Sequence, residues 1–228
     1  EQEFARFSNA KYCVGVNSGT DALRFLLIAS GVGKDDIVIT VANTFAATVE
    51  AIVQAGATAH FVDIDPQTFN MSVDSLRSFL QSQCDRPARG RLPIHRASGR
   101  PVKAIMPVHL YGQVCDMDGI VELAEEYGLM VFEDACQAHG SDYYSSRAGA
   151  WQRAGSLGKA AAFSFYPGKN LGAYGEGGMV VTSNAEYARK IRMLRDWGAE
   201  KKYMHVLKGY NMRLEGMQGA ILRVKLRH

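Results

Sequence analysis

The sequence predicts an α/β fold, in which a mostly parallel seven-stranded sheet lies between layers of helices. Two observations lead to this prediction. Short apolar runs alternate with amphipathic helical patterns about seven times along the chain. The 228 residues are 47% hydrophobic and 21% charged, which is typical of a globular protein with a large buried core. Ligands of such sheets bind at the carboxyl ends of the strands, so the residues there are the first candidates for a site.

The predicted strands are apolar runs bounded by turn residues, and a helical pattern follows most of them. The strands are 12–16, 37–41, 59–62, 104–108, 129–133, 160–164 and 178–182. The helices begin at 18–20, cover 44–54, follow 72, and cover 117–127 and 185–196. Ser72 is a predicted helix cap, because a serine oxygen can accept hydrogen bonds from the first free amides.

Composition and charge exclude several classes of protein. The formal net charge of +3 is too small to predict binding to nucleic acid or to a membrane surface. No run of 18 apolar residues is present. The four cysteines, Cys13, Cys84, Cys115 and Cys136, form no CxxC pair and predict no metal site. They are the reduced thiols expected of a cytoplasmic protein.

We expect residues 1–228 to form one cofactor-binding domain of a longer protein. The chain begins in a helical pattern without a Met and ends in an amphipathic helical pattern, so we expect a fragment of a longer protein. The segment from Arg86 to Arg100 is basic and contains interleaved Pro and Gly. It predicts an exposed, solvated loop, with a phosphate-binding patch as the alternative.

The segment around Lys169 is the most informative part of the chain. Pro167 and Gly168 precede this lysine and four glycines follow it, between two apolar runs. Glycines allow the backbone to approach a ligand closely. An amine held in such a turn can form a Schiff base with a carbonyl, although a surface lysine is the simpler interpretation.

Two earlier strands end in residues that could bind an anion and an aromatic ring. Gly19 and Thr20 stand at a predicted helix start, where free amides and the helix dipole attract an anion. A plain serine cap by Ser18 is the alternative. Phe45 follows the second strand and could stack on a planar ring, although a place in the core is the more common fate of such a residue.

Two later strands end in Asp134 and Ser164. Asp134 ends an apolar strand, and a buried carboxylate needs a cation, such as a protonated ring nitrogen. A structural ion pair is the main alternative, and a metal shared with His139 is a weaker one because no third ligand is near. The hydroxyl of Ser164 could hold a phosphate. An anion, a planar ring, a ring nitrogen and a carbonyl together describe pyridoxal phosphate.

Six motifs in order resemble the DegT/DnrJ/StrS family of sugar aminotransferases, which have the fold type I, aspartate-aminotransferase-like architecture. They cover nearly the whole chain: NSGTDAL at 17–23, PVHLYGQ at 107–113, EDACQAHG at 133–140, GSLG at 155–158, the lysine segment and GYNMRL at 209–214. The resemblance implies pyridoxal phosphate as cofactor.

The resemblance also implies a role for individual residues. Lys169 would form the Schiff base and act as the general base, and Asp134 would bind the ring nitrogen. The other implied cofactor contacts are Gln137 at the ring hydroxyl, Gly19, Thr20 and Ser164 at the phosphate, and Phe45 stacked on the ring. Asn211 would complete the phosphate site of a neighbouring subunit, which implies a homodimer with shared active sites. His109, His139 and Arg213 also match, without an assigned role.

The implied reaction is transfer of an amino group, with glutamate as the expected donor, to a nucleotide-linked keto sugar. The sequence of the lysine segment resembles that of members acting on a dTDP-3-keto-6-deoxyhexose, which implies this acceptor. The product would serve the synthesis of an antibiotic sugar or a surface polysaccharide. A 4-keto sugar and a cyclitol are alternatives. Relatives that act as dehydratases carry histidine at the position of Lys169. Because this chain has lysine there, the resemblance favours amino transfer over dehydration. A cofactor-binding regulatory relative is a second class. A nucleotide-binding oxidoreductase needs a GxGxxG after the first strand, and 15–19 does not supply it.

Overall fold

A computed structural model describes residues 1–85 and 90–228 and confirms the predicted α/β class. The strands are β1 Tyr12–Val16, β2 Ile37–Val41, β3 Thr58–Val62, β4 Cys84–Asp85, β5 Ile94–His95, β6 Arg100–Ile105, β7 Met130–Asp134, β8 Asp142–Ser145, β9 Ala150–Arg153, β10 Ala160–Ser164, β11 Gly178–Thr182, β12 Ala199–Lys201 and β13 Met204–His205. The helices are α1 Gln2–Phe7, α2 Gly19–Ala29, α3 Ala47–Gln54, α4 Val73–Gln83, α5 Met117–Tyr127, α6 Ala185–Arg195 and α7 Gly216–Lys225.

The seven predicted strands form the main sheet in the order β1-β11-β10-β7-β6-β2-β3. Strand β11 runs antiparallel to both of its neighbours, and the other pairs from β10 to β3 are parallel. The short strands β4 and β5 extend this sheet beside β6. The strands β1, β10, β7, β6 and β2 therefore point the same way, and their carboxyl ends meet at one edge.

Helices cover both faces of the sheet, which explains why the strands read as continuous apolar runs. Consecutive residues of β2 alternate between two clusters of buried side chains. Val38 packs with residues of α2, α3 and α6 on one face. Ile37 and Ile39 pack with residues of α4 and α5 on the other face.

Two predicted boundaries were wrong. The helix predicted over 44–54 begins only at Ala47, because the preceding residues form an irregular loop between β2 and α3. The strand predicted over 104–108 covers Arg100–Ile105. Pro107 has no N–H to donate to a ladder, and beyond it only an isolated bridge joins Val108 to Asp134.

The basic segment is only partly a solvated loop. It contains the short strand β5, and among its described residues two arginines form ion pairs: Arg96 with Asp85 at 2.8 Å and Arg100 with Asp35 at 3.8 Å. Positions 86–89 lie outside the described residues, so the phosphate-binding alternative stays a prediction. Within the described ranges, no helix is long and apolar enough to cross a membrane.

Candidate active site

A cavity of about 480 Å³ lies at the carboxyl ends of the strands. Seven of the eight predicted site residues line it: Gly19, Thr20, Phe45, Asp134, Gln137, Ser164 and Lys169. They come from the ends of four strands, β1, β2, β7 and β10, or from the segments that follow them, and the fold brings them together because these strand ends share one edge. Asn211 is exposed and does not line the cavity, so its role in a neighbouring subunit stays a prediction.

The first side of the cavity is the amino end of α2. Ser18 caps this helix: its Oγ accepts from the backbone N–H of Asp21 at 3.1 Å and donates to the carboxylate of Asp21 at 3.0 Å. The serine cap considered from the sequence is therefore present, and its hydroxyl is occupied. The amides of Gly19 and Thr20 begin the helix, where backbone N–H groups have no intrahelical partner and attract an anion.

Gly19 is required by the close approach of β10. A Cβ at this position would lie 2.6 Å from the Cβ of Ser164 and 3.1 Å from its Oγ. The absence of a side chain lets the Ser164 hydroxyl lie directly beside the first amides of α2. Gly19, Thr20 and Ser164 thus form one cluster of donors that suits a phosphate.

Lys169 lies in the long connection between β10 and β11. Its backbone N–H donates to the carbonyl of Tyr166 at 2.8 Å, which makes a turn. Gly172 closes the turn, since a Cβ there would lie 2.3 Å from the carbonyl oxygen of Pro167. Within the part of the chain that the structure describes, the amine of Lys169 forms no ion pair or hydrogen bond. This amine faces the cavity free to react.

Asp134 ends β7 and is only 5% exposed. Its Oδ2 accepts from Thr48 Oγ1 at 2.6 Å, and its Oδ1 accepts from the backbone N–H of Cys136 at 3.2 Å. No Lys, Arg or His of the described residues forms an ion pair with it. The structural ion pair considered from the sequence is therefore not found. The buried charge faces a cavity in which a ligand can supply the cation.

Gln137 presents a defined end of its amide to the cavity. Its Oε1 accepts from the backbone N–H of Tyr111 at 2.6 Å. Because the oxygen is occupied, the Nε2 end is left to donate. A phenolic oxygen of a ligand is a suitable acceptor.

Phe45 lies at the cavity, where the resemblance predicted it, and not in the core, which was the alternative. Its side chain is 69% exposed and lines the cavity. It lies in the loop before α3, because that helix begins only at Ala47. A phenyl ring exposed at the mouth of a cavity can stack on a planar ligand.

Burial makes two further side chains near the cavity neutral. Burial, together with the adjacent charge of Asp134, raises the pKa of the Cys136 thiol well above its ordinary value. Burial lowers the pKa of His139 to about 4. The imidazole of His139 packs against the rings of Phe163 and Phe165, with centroids 5.2 and 5.7 Å away. The described residues contain no group of metal ligands, so the metal alternative for Asp134 and His139 has no support.

The glycine-rich motif at 155–158 binds Glu133, the residue before Asp134. The backbone N–H groups of Gly155, Leu157 and Gly158 donate to the fully buried Glu133 carboxylate at 2.7, 2.9 and 2.7 Å. A fourth contact comes from His109, whose Nε2 is 3.0 Å away. His109 Nδ1 accepts from the N–H of Cys115, so Nε2 carries the proton and donates. This motif and His109 therefore hold the Glu133 side chain of β7 in place.

The sequence interpretation did not select several residues of the cavity wall. They are Thr44, Thr48, Val108, Cys136, Tyr166 and Glu176. Thr48 is the most consequential, because it contacts Asp134 from a helix that is distant in sequence. A threonine inside a predicted amphipathic helix carries no local signal of such a contact.

Fold and site together define an enzyme-like α/β protein with a cavity for a small, anionic, ring-containing cofactor. The chain belongs to the DegT/DnrJ/EryC1/StrS aminotransferase family, whose sequence model matches residues 1–228. Aminotransferases of this family use pyridoxal phosphate, as the resemblance implied.

The chain is similar to both regulatory proteins and transaminases of this family. It is 46% identical over 228 residues to a pleiotropic regulatory protein of Geobacillus stearothermophilus, covering 100% of this chain and 55% of that protein. It is 43% identical to dTDP-3-amino-3,4,6-trideoxy-alpha-D-glucose transaminase of Streptomyces venezuelae, covering 100% and 54%. The crystal structure of S. venezuelae DesV with a ketimine intermediate matches at a TM-score of 0.86 and 41% identity, covering 100% and 55%. The chain thus spans about half the length of the relatives it matches.

Proposed function

We propose that this chain is the cofactor-binding large domain of an aminotransferase that moves an amino group from glutamate to a nucleotide-linked keto sugar. One observation carries the proposal. The free amine of Lys169 and the buried carboxylate of Asp134 face the same cavity, and Asp134 has no ion-pair partner among the described residues. Pyridoxal phosphate meets both needs, with a carbonyl for the amine and a ring nitrogen for the carboxylate.

The residues of the cavity fit the rest of this cofactor. The donor cluster of Gly19, Thr20 and Ser164 suits its phosphate, and the close fit at Gly19 leaves no room for a side chain there. The amide of Gln137 can donate to the ring hydroxyl. Phe45 can stack on the ring.

When bound, pyridoxal phosphate supplies a carbonyl that condenses with amines and a ring that accepts electrons. The protein supplies position and proton transfer. Lys169 Nζ would hold the carbonyl carbon of the cofactor, and its amine would be the group that takes up and returns a proton beside it. Asp134 would hold the ring nitrogen, and its negative charge would favour a proton there. The neutral thiol of Cys136 adds no competing charge.

We propose a dTDP-3-keto-6-deoxyhexose as the acceptor. The amino-acid sequence of the segment from Tyr166 to Gly172 supports this acceptor. The similarity to the transaminase of S. venezuelae, which is named for a dTDP-3-amino sugar, also supports it. The proposal extends to a cytoplasmic homodimer in which Asn211 reaches the phosphate site of the partner, and to synthesis of an antibiotic sugar or a surface polysaccharide.

The test is a spectrum followed by an assay. The purified protein with pyridoxal phosphate should absorb at the edge of the visible range, and glutamate should bleach this band. Lys169→Ala should lose both the band and turnover, whereas Lys34→Ala, at an exposed lysine near the opposite end of β2, should keep both. An active Lys169→Ala variant would refute the assignment. Exclusive use of a 4-keto sugar, when both keto sugars are offered with glutamate, would refute the proposed substrate.

A second candidate function is regulation. The relative that is 46% identical is named a pleiotropic regulatory protein, which favours this alternative. A regulatory protein of this family could hold the cofactor without turning over a sugar. A visible band that glutamate does not bleach, with no product from any keto sugar, would support regulation over transfer.

A further inference from the structure

We infer that Thr48 is a positioning residue for Asp134, and that Thr44 supports it through a chain of two hydroxyls. The inference rests on the proposed role of Asp134 at the ring nitrogen. It assigns a part in the site to the helix α3, whose residues were not among the expected cofactor contacts.

The contact between Thr48 and Asp134 is short and shielded from water. Thr48 Oγ1 lies 2.6 Å from Asp134 Oδ2, and the two residues are 1% and 5% exposed. They are 86 positions apart in the sequence, so only the packing of α3 against the sheet brings them together. A hydroxyl in such a buried place forms a strong, charge-assisted hydrogen bond to a carboxylate.

The directions of the hydrogen bonds in this chain follow from the chemistry of its last member. An ionised carboxylate only accepts hydrogen bonds, so Thr48 donates its proton to Asp134. Thr44 Oγ1 lies 2.7 Å from Thr48 Oγ1. Since the proton of Thr48 is already used, Thr44 must donate to Thr48. A hydroxyl that receives a hydrogen bond donates a stronger one, so Thr44 strengthens the contact with Asp134.

The two contacts of Asp134 fix the plane of its carboxylate. The backbone N–H of Cys136 holds Oδ1 and the hydroxyl of Thr48 holds Oδ2. Losing either contact would allow the carboxylate to rotate and would remove a donor that stabilises its negative charge. Of these two contacts, only the one from Thr48 can be removed by changing a side chain, and the Cys136 thiol, which also interacts with the Asp134 carboxylate, is left in place. Thr48 therefore determines both the direction and the strength with which Asp134 holds a ring nitrogen.

Three variants test the inference. Thr48→Val keeps the shape and removes the hydroxyl, Thr48→Ser keeps the hydroxyl, and Thr44→Val removes only the outer donor. For Thr48→Val we expect roughly tenfold weaker binding of pyridoxal phosphate, the scale of one hydrogen bond to a charged group. Thr48→Ser should stay within about twofold of the wild type, and Thr44→Val should fall between the two.

A second readout separates positioning from a merely structural role. The ¹⁵N shift of the ring nitrogen in labelled cofactor reports its protonation. In Thr48→Val this signal should move towards the neutral nitrogen, and in Thr48→Ser it should match the wild type.

Each outcome decides the inference. It is wrong if Thr48→Val matches the wild type in both readouts, or if Thr48→Ser fails as badly as Thr48→Val. If Thr48→Val does not fold, Thr44→Val decides alone, and an unchanged ¹⁵N shift there refutes the hydroxyl chain. A wild-type protein that binds no cofactor would instead refute the proposed function.

Discussion

Two neighbouring carboxylates at the end of β7 differ in how the fold satisfies them. Glu133 points away from the cavity and accepts four hydrogen bonds, three of them from backbone N–H groups. Asp134 faces the cavity and accepts two. Because a strand turns consecutive side chains to opposite faces, one carboxylate points into the protein interior and the next points into the cavity. Unfilled hydrogen-bonding capacity, more than burial, distinguishes the carboxylate that faces the cavity.

The same chemical change at both positions should have opposite consequences. Glu133→Gln removes the charge that holds the 155–158 loop and turns an N–H₂ group towards backbone donors. We expect the free energy of unfolding to fall by about 3 kcal/mol or more, as when one partner of a buried charged contact is lost. Urea titration followed by circular dichroism measures it. A loss below about 1 kcal/mol would show that Glu133 is not the anchor that its contacts describe.

Asp134→Asn should change activity much more than stability. We expect turnover to fall roughly 10²- to 10³-fold, the scale for losing one preorganised electrostatic group. The free energy of unfolding should change by only about 1 kcal/mol, because two hydrogen bonds are at stake. Steady-state assays and urea titration on the same preparation check both. Full activity in this variant would remove Asp134 from the proposed site.

His139 extends the comparison to a buried polar group with even fewer partners. Neither ring nitrogen makes a hydrogen bond of normal geometry to the described residues. Burial lowers the pKa of His139 from 6.5 to about 4, so the unfolded chain binds the additional proton between these pH values. Stability should therefore be fully present above pH 6.5 and fall as the pH drops towards 4.

This histidine should account for a loss of up to about 3 kcal/mol between pH 7 and pH 4. In His139→Leu, which suits the neighbouring aromatic rings, that part of the acid loss should disappear. Urea titrations of both proteins at the two pH values measure the difference. Equal acid losses in the two proteins would show that His139 does not set this dependence.

The sequence predicted the parts of this site that depend on local signals. Asp134 and Ser164 each end an apolar strand, Lys169 follows one, and the parallel arrangement brings strand ends together. Period-two and helical patterns do not give strand direction, so the antiparallel course of β11 was not predicted. Phe45 was expected to stack on a ring because of the resemblance, whereas its local pattern alone favoured the core, since nothing local showed that α3 begins after it.

Thr48 shows where such reasoning ends. Its role arises from a contact with Asp134, which is 86 positions away in the sequence, and no residue near Thr48 indicates this contact. Its short polar side chain is compatible with a helix surface, a helix interior or a turn. Only the packing of α3 over the end of β7 distinguishes these possibilities.

The loop around Lys169 and the contact between Asp134 and Thr48 also differ in the sequence separation of the residues that they bring together. The loop that carries Lys169 joins β10 to β11, which are neighbours in the sheet and close in sequence. Asp134 contacts Thr48 only when the 86-residue loop between them is closed. Contacts between distant residues carry a larger entropy of loop closure and form late in folding. During refolding, the turn that contains Lys169 should therefore form early, and the chain should become able to retain a cofactor only near the end.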